Sequence, residues 1–536
     1  MVSRVGPPDT KFVRRFTGHP FGHPLDMVNT TTATSGTTYR GPAGVGSPRL
    51  AGVPGVGAVA VQPQQVLETA RYDTTDRRLV TAGIRLNLHR GTDAAHWQLL
   101  LPDGDDEELL RVPAAVSEVE GVDLDRPPDE LDELVRGTRR ERPLHPVGRI
   151  RTVRVETRLL DDGARPLAVV VHDEVTAATL GRSTTIDTWT EIEIRPLTAD
   201  AALLTELEAR VRATGVRAGG GPAADAVLDR LLSPARPRPR SRAGKKGSAG
   251  AVLFDYLGTQ IDRIAREDLR VRRDEPDAVH QLRVAVRRLR SAVQTYTSLL
   301  DREWTRPLVI ELRHLGRTLA PARDTEVLRE RIVDGLDHTD PDLVLGPVRA
   351  QVTRHFARAE AEAHAATLAE FDGDRYAVLR AALDELLVAP PLTRRAARPA
   401  AKELPRSAAK AARRLERAVS ALDTDSSDEA VHRVRKASKR LRYATEVARP
   451  AVGGKAKRLN RKLKDLQRAL GEHQDTVVAR RVLRELGAHA HVAGENGFTF
   501  GMLHGRETAS AHRVRSELPR LWQSAWRKKN RRWLTP

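Results

Sequence analysis

Cysteine is absent from the 536 residues of this chain. That excludes disulfides, thiolate nucleophiles and thiolate metal sites. Phenylalanine, tryptophan and tyrosine together reach only 4%, which argues against a surface that stacks bases. No apolar run is long enough to span a bilayer. The early basic residues are not followed by the apolar stretch of a secretory signal before Gly18-His19-Pro20. A cytoplasmic protein with no membrane span is the expectation. Acidic side chains also fall short, with 71 against 90 lysines and arginines and a formal net charge of +19. This balance points to a polyanionic partner: nucleic acid, an anionic membrane surface or a phosphate polymer. Charge alone does not choose among them.

What the chain does have is a repeat. His280-Gln281-Leu282-Arg283-Val284-Ala285-Val286-Arg287-Arg288-Leu289-Arg290 is echoed by His432-Arg433-Val434-Arg435-Lys436-Ala437-Ser438-Lys439-Arg440-Leu441-Arg442. On a helix, His280, Arg283, Arg287 and Arg290 share one flank, and Val279, Leu282, Val286, Leu289 and Val293 form a separate apolar stripe. The echo repeats the flank as His432, Arg435, Lys439 and Arg442, and the stripe as Val431, Val434 and Leu441. Asp274 and Ser426 are expected as N-caps, with Asp277 and Glu429 at N3. Like charges one turn apart repel, so stacking them twice suggests an anion to receive; a solvated charged face is the plain alternative. Arg323-Asp324 and Gln474-Asp475 repeat at nearly the same offset, each after a Leu-rich helix. Each aspartate is expected to cap a helix or to pair with an arginine of the flank. The second Leu-rich helix adds Lys457, Arg458, Arg461, Lys462 and Lys464.

In chain order, residues 1–58 are rich in Gly, Pro, Thr and Ser and are expected to be disordered or partly ordered, with one strand at the end. Residues 59–215 alternate with period two, as in Ile84-Arg85-Leu86-Asn87-Leu88-His89, and read as strands. Residues 216–250 read as a flexible basic linker containing Pro234-Ala235-Arg236-Pro237 and Lys245-Lys246. Residues 251–530 are helical almost throughout. Helices are expected near 303–320 and 323–335, and in the second copy near 455–471 and 474–486.

Two resemblances follow. Tyr72-Asp73-Thr74-Thr75-Asp76, Leu79 to Leu86, Trp97 to Pro102, Arg151 to Leu159, Asp173-Glu174-Val175 and Trp189 to Glu193 together resemble the CYTH family. That resemblance implies an eight-stranded antiparallel tunnel in which acids hold a divalent metal and basic residues hold a triphosphate. The departures are specific. No Glu-x-Glu-x-Lys strand opens the domain; Asp9-Thr10-Lys11-Phe12 and Val59-Ala60-Val61-Gln62 are the segments that could take its place. Asn87 and His89 stand where arginines are expected, and Leu100 where a lysine is. The resemblance therefore implies a degenerate, non-catalytic relative. Its residual phosphate contacts would be Arg85, Arg111, Arg151, Arg154 and Arg158. Asp173, Glu191 and Glu193 would hold Mg²⁺ or Mn²⁺ only if the tunnel were active; no other cofactor is implied.

The duplicated His-x-x-Arg motif and the paired Arg323-Asp324 and Gln474-Asp475 are similar to the CHAD family. That resemblance implies paired helical bundles around a basic groove, inorganic polyphosphate as ligand, and association with polyphosphate granules. The groove residues would be His280, Arg283, Arg287, Arg288 and Arg290 from one copy. From the other they would be His432, Arg435, Lys436, Lys439, Arg440 and Arg442, joined by Arg458 and Lys462. Whether each histidine faces ligand or core is open.

The expected fold is thus two-domain α+β, an N-terminal antiparallel tunnel or barrel followed by a duplicated all-α bundle. The expected function is non-catalytic polyphosphate binding. The alternatives are a metal-dependent triphosphatase or polyphosphatase in the first domain, or nucleic-acid binding.

Overall fold

The computed structural model describes residues 26–27, 36–92, 94–103, 106–114, 126–140, 142–219, 221, 223–233, 244–423 and 426–534. Asp9-Thr10-Lys11-Phe12 and the basic run 234–242 lie outside them. The chain divides into two units, Met1–Ala235 and Arg236–Pro536.

The first unit is built on one sheet. Its strands are β1 (Asp26–Met27), β2 (Thr37–Pro42), β3 (Ala58–Val61), β4 (Gln65–Asp73), β5 (Arg85–Arg90) and β6 (His96–Asp103), followed by β7 (Asp106–Pro113), β8 (His145–Leu160), β9 (Pro166–Thr179), β10 (Ile186–Pro196) and β11 (Arg217–Ala218). The order is β1-β7-β6-β5-β4-β8-β9-β10-β2-β11, with β3 against β8. This corrects the expected tunnel. The described strand path ends at β1 on one side and β11 on the other, so the sheet is not closed into a barrel. Closure needs a hydrogen-bonded register carried all the way round. Here both terminal strands are two residues long, too short to carry a ladder onward. The segment 1–58, expected to be disordered or partly ordered, contains β2, which pairs with β10 over six residues.

The alternation read from the sequence places Leu86 and Leu88 on one face of β5, at 1% exposure or less. The opposite face is polar, buried at β4 and β5 and opening to solvent toward β7. Arg71, Asn87, Gln98 and Arg111 are register partners across β4, β5, β6 and β7, and Arg71 and Asn87 are fully sequestered. Helices α1 (Arg78–Thr81), α2 (Asp129–Arg139) and α3 (Ala201–Arg212) accompany the sheet. A fourth, α4 (Ala224–Leu232), falls inside the stretch expected to be a linker. Its Val227, Leu228 and Leu232 are fully buried with Val147, Ile150, Val175, Ala177 and Trp189. A nine-residue helix between Gly-Pro flanks carries too little periodicity to stand out from a linker.

The second unit is helical: α5 (Ala249–Arg272), α6 (Ala278–Thr295), α7 (Arg302–Thr318), α8 (Ala320–Asp337), α9 (Val348–Asp372) and α10 (Asp374–Val388), then α11 (Ala400–Ser420), α12 (Asp428–Val452), α13 (Gly454–Val492), α14 (Phe498–Ala525) and α15 (Lys528–Arg531). One core joins the stripes of α6 and α12, with Leu282, Val286, Leu289 and Val293 packed in the same cluster as Val431, Val434 and Leu441.

Both expected caps move. α6 starts at Ala278, with Asp277 as N-cap in the left-handed region at φ 63°. Pro276 forbids an earlier start, because the residue before a proline is driven out of helical geometry. In α12, Ser427 is the N-cap and accepts from the Ala430 N–H. The aspartates after the Leu-rich helices cap nothing. In the first copy Pro321 sits in the opening turn of α8, where its missing N–H is tolerated, and the chain breaks between α7 and α8. In the second copy Glu472 holds that place and α13 runs unbroken for 39 residues, where two helices were expected.

Candidate functional site

The repeat brings its two basic flanks toward one another. α6 carries His280, Arg283, Arg287 and Arg290; α12 carries His432, Arg435 and Lys439. Lys439 is the centre of the cluster. Burial is the larger cause of its depressed affinity for a proton, and Arg287, Arg435 and Arg283 add repulsion against the weak pull of Asp475; together they bring its amine down to about 6. Arg435 is depressed for the same first reason, burial, with Asp475 opposing. Arg290 is depressed by burial and then by Arg313, Arg287 and Arg317. The arginines stay charged regardless.

Compensation inside the cluster is sparse and specific. Arg283 donates to Asp324 at 3.0 Å and to the Ala320 carbonyl at 2.9 Å. Asp475 is held above the usual carboxylate range by burial, which Arg435 and Arg331 partly offset. Arg287 donates through Nε to the Tyr443 hydroxyl at 2.8 Å, which fixes the guanidinium from behind. Tyr443→Phe removes that acceptor while keeping the ring beside Arg287, Arg288 and Arg442. We expect it to weaken anion binding and to lower unfolding stability, each by about 1 kcal/mol, as read by titration calorimetry and denaturant melts.

The histidines occupy equivalent positions with different partners. His280 is pushed down by burial, then by Arg323, Arg287 and Arg283, with Asp277 opposing. His432 is pushed down by burial and by Lys436, Arg435 and Lys439, against a hydrogen bond from its Nδ1 to Gln474 at 2.5 Å. Both are partly exposed, and neither is a fully buried core residue.

Other motif residues point elsewhere. Arg288 and Arg442 share Glu446, at 3.2 and 3.0 Å, with Tyr256 as a third partner. Arg440 donates to Gln294 at 2.7 Å. Lys436 and Arg458 are exposed, and Lys462 lies 3.9 Å from Asp465. Conversely, Arg313, Arg317 and Tyr443 join the field of the cluster without having been singled out in the sequence, and Arg323, noted there only beside Asp324, joins it too. The repeat itself marks three of them, because the offset of 151 that links Asp324 to Asp475 also links them to Lys464, Arg468 and Gln474.

In the first unit the expected phosphate and metal residues are engaged with one another. Arg154 forks onto Asp173 at 2.9 and 2.7 Å. Arg85 donates to Asp229 at 2.7 Å. Glu191 accepts from the Trp189 indole at 2.7 Å and lies 3.7 Å from Arg40. Glu193 pairs with Arg195 at 2.7 Å. Arg151 lies on the opposite face from Arg154 by strand alternation, 3.9 Å from Glu68. Arg111 and Arg158 are exposed. A divalent ion bound by Asp173 and Glu193 would have to displace two arginines, so these residues do not fit a ready metal site. Among the described residues no group of three His, Asp or Glu is placed to hold a metal ion, and no helix is long and apolar enough to cross a membrane.

Residues 255–484 match the CHAD domain family model. Two uncharacterized proteins of Mycobacterium tuberculosis, from strains CDC 1551 / Oshkosh and ATCC 25618 / H37Rv, are each 32% identical over 493 residues, or 88% of this chain and 92% of theirs. The chain belongs to their family and carries a CHAD domain. Among solved structures, PptA from Streptomyces chartreusis is 25% identical, covering 52% of this chain and 99% of its own with a TM-score of 0.44. The CHAD domain from the plant Ricinus communis is 23% identical, covering 55% and 97% with a TM-score of 0.43. The α6–α12 cluster falls wholly inside the matched CHAD residues. The N-terminal unit, whose sequence motifs resemble the CYTH family, has a sheet that stays open.

Proposed function

We propose that the CHAD domain, residues 251–530, holds inorganic polyphosphate on the cation cluster between α6 and α12 and does not cleave it. The observation that carries this reading is the convergence of Arg283, Arg287 and Arg435 on a largely buried Lys439, whose amine is brought down to about 6 by burial first and then by their repulsion. Like charges held this close raise the free energy of the empty protein, and an anion laid among them removes that cost. Polyphosphate offers repeated charge without bases or sugars to read. Arginine forks suit its adjacent oxygens, and its affinity would come from released counterions. Low aromatic content favours such a ligand over single-stranded nucleic acid. A protein of this kind would gather at polyphosphate granules. The pairing of Arg85, Arg154 and Arg195 with internal carboxylates supports a non-catalytic first unit.

Competition tests the reading. A labelled polyphosphate of about a hundred units bound to the full chain should resist displacement by DNA at equal phosphate, and its affinity should fall steeply with salt. Preferential displacement by DNA would make nucleic acid the ligand. Phosphate release from tripolyphosphate with Mg²⁺ or Mn²⁺, lost on Glu191→Gln/Glu193→Gln, would make the first unit an enzyme.

A further inference from the structure

The buried polar face of the first sheet is occupied by the protein itself. Arg71 is fully sequestered, and its guanidinium is saturated from two directions. Nε donates to Asn87 at 2.6 Å, Nη1 to Asp229 and Nη2 to Asp225. Arg85 joins through Nε to Asp229 at 2.7 Å, and the Asn87 amide reaches Asp225 at 3.5 Å. The donors all belong to neighbouring strands of the sheet. The charged acceptors both belong to α4, one turn apart.

That division is informative. Two aspartates at i,i+4 repel each other on a helix, so they are not there for the sake of α4. A buried arginine needs a counter-charge, and here the sheet does not supply it. The donor set has the chemistry that grips a phosphate: one guanidinium fork, a second guanidinium and an amide, converging on two negative charges. Asp225 and Asp229 are 39% and 24% exposed while Arg71 is not exposed at all, so the acceptor side of the cluster faces solvent. The same face continues with Gln98 and Arg111.

We infer that α4 is an internal occupant of an oxyanion site: Asp225 and Asp229 sit where Arg71, Asn87 and Arg85 would hold a phosphate-class anion, and they keep that site shut. This is independent of the polyphosphate reading of the CHAD domain. Three fully buried apolar side chains of α4 hold the occupant down, so the site is masked in the resting protein.

The experiment is hydrogen exchange of the full chain, followed at residues 65–90 during titration with inorganic pyrophosphate in the absence of metal. The CHAD domain is read separately at residues 278–295. In Asp225→Asn/Asp229→Asn, pyrophosphate should protect residues 65–90 at a concentration about tenfold or more below that needed in the unmodified chain. Adding Arg71→Gln should abolish the response. Equal responses in modified and unmodified chains, no response in the folded double variant, or a response that survives Arg71→Gln would each overturn the inference. If the double variant loses protection across residues 145–179 before ligand is added, Asp225→Asn alone carries the same test with the same outcomes.

Discussion

Arg287→Glu/Arg435→Glu is expected to weaken binding of long-chain polyphosphate by about a thousandfold at fixed ionic strength. Charge-assisted hydrogen bonds contribute about 1.5–3 kcal/mol each, so losing two removes about 4 kcal/mol, and each 1.4 kcal/mol is about a decade. Both side chains lie in the field that depresses Lys439, which places them at the centre of the cluster rather than on its rim. Stability should move little. The new carboxylates gain Arg283 and Lys439 as partners but face Asp475 as a like charge, so the free variant should melt close to the parent. That contrast separates lost binding from lost fold. Arg440→Glu is the control, because Arg440 bonds Gln294; its effect should stay within a few-fold, as for an ordinary surface charge. A double variant that folds and still binds within about tenfold of the parent would remove the cluster from the binding site.

The second large effect is in pH. With Lys439 near 6 in the free protein, the amine is mostly neutral at pH 7.5. A bound polyanion favours its charged form and raises its proton affinity toward the ordinary lysine range. Between the free and bound values the complex therefore holds one more proton than the free protein. Affinity should rise by about tenfold for each unit that pH falls across that window, approaching a plateau below pH 6. His280 and His432, both held below their ordinary value, add to the same slope near the acid end. Without ligand the sign reverses. The unfolded chain protonates Lys439 more readily than the folded one, so between about 6 and the ordinary lysine value of about 10.4 the free protein gains stability as pH rises. Lys439→Met should flatten the affinity profile between pH 7 and 8.5. Calorimetry in buffers of different ionisation enthalpy should count about one fewer proton taken up. An unchanged slope in Lys439→Met would assign the proton uptake to other groups.

Much of this was legible in the chain. The apolar stripes of α6 and α12, the flanks beside them and the offset between the copies come directly from period and spacing, because a helix places every third or fourth residue on one face whatever its partners. The destination of each cation was less visible. Arg288, Arg440 and Arg442 share the motif with Arg287 and Lys439, yet they answer to Glu446 and Gln294, and partners supplied by packing leave no trace in one helix's periodicity. The caps shifted because Pro276 overrode the more obvious Asp274. In the first unit, alternation located the strands but not their closure. Whether a sheet closes depends on edges such as β1 and β11, two residues each, and strands that short carry almost no signal. α4 was hidden for a similar reason, and with it the carboxylates that neutralise Arg71.

The break at Pro321 has a consequence for how a long ligand would be measured along the protein. In the second copy Lys464, Arg468 and Gln474 ride on one uninterrupted rod, α13, so the span from Lys464 to Gln474 is fixed at about 15 Å by helical rise alone. Their first-copy counterparts Arg313, Arg317 and Arg323 are divided between α7 and α8, and the joint at Leu319 lies between them. The second-copy row is therefore a ruler with set graduations, and the first-copy row is a jointed arm. A polymer of irregular conformation can be indexed against the ruler and followed by the arm, which suits a ligand defined by its charge spacing and not by its shape.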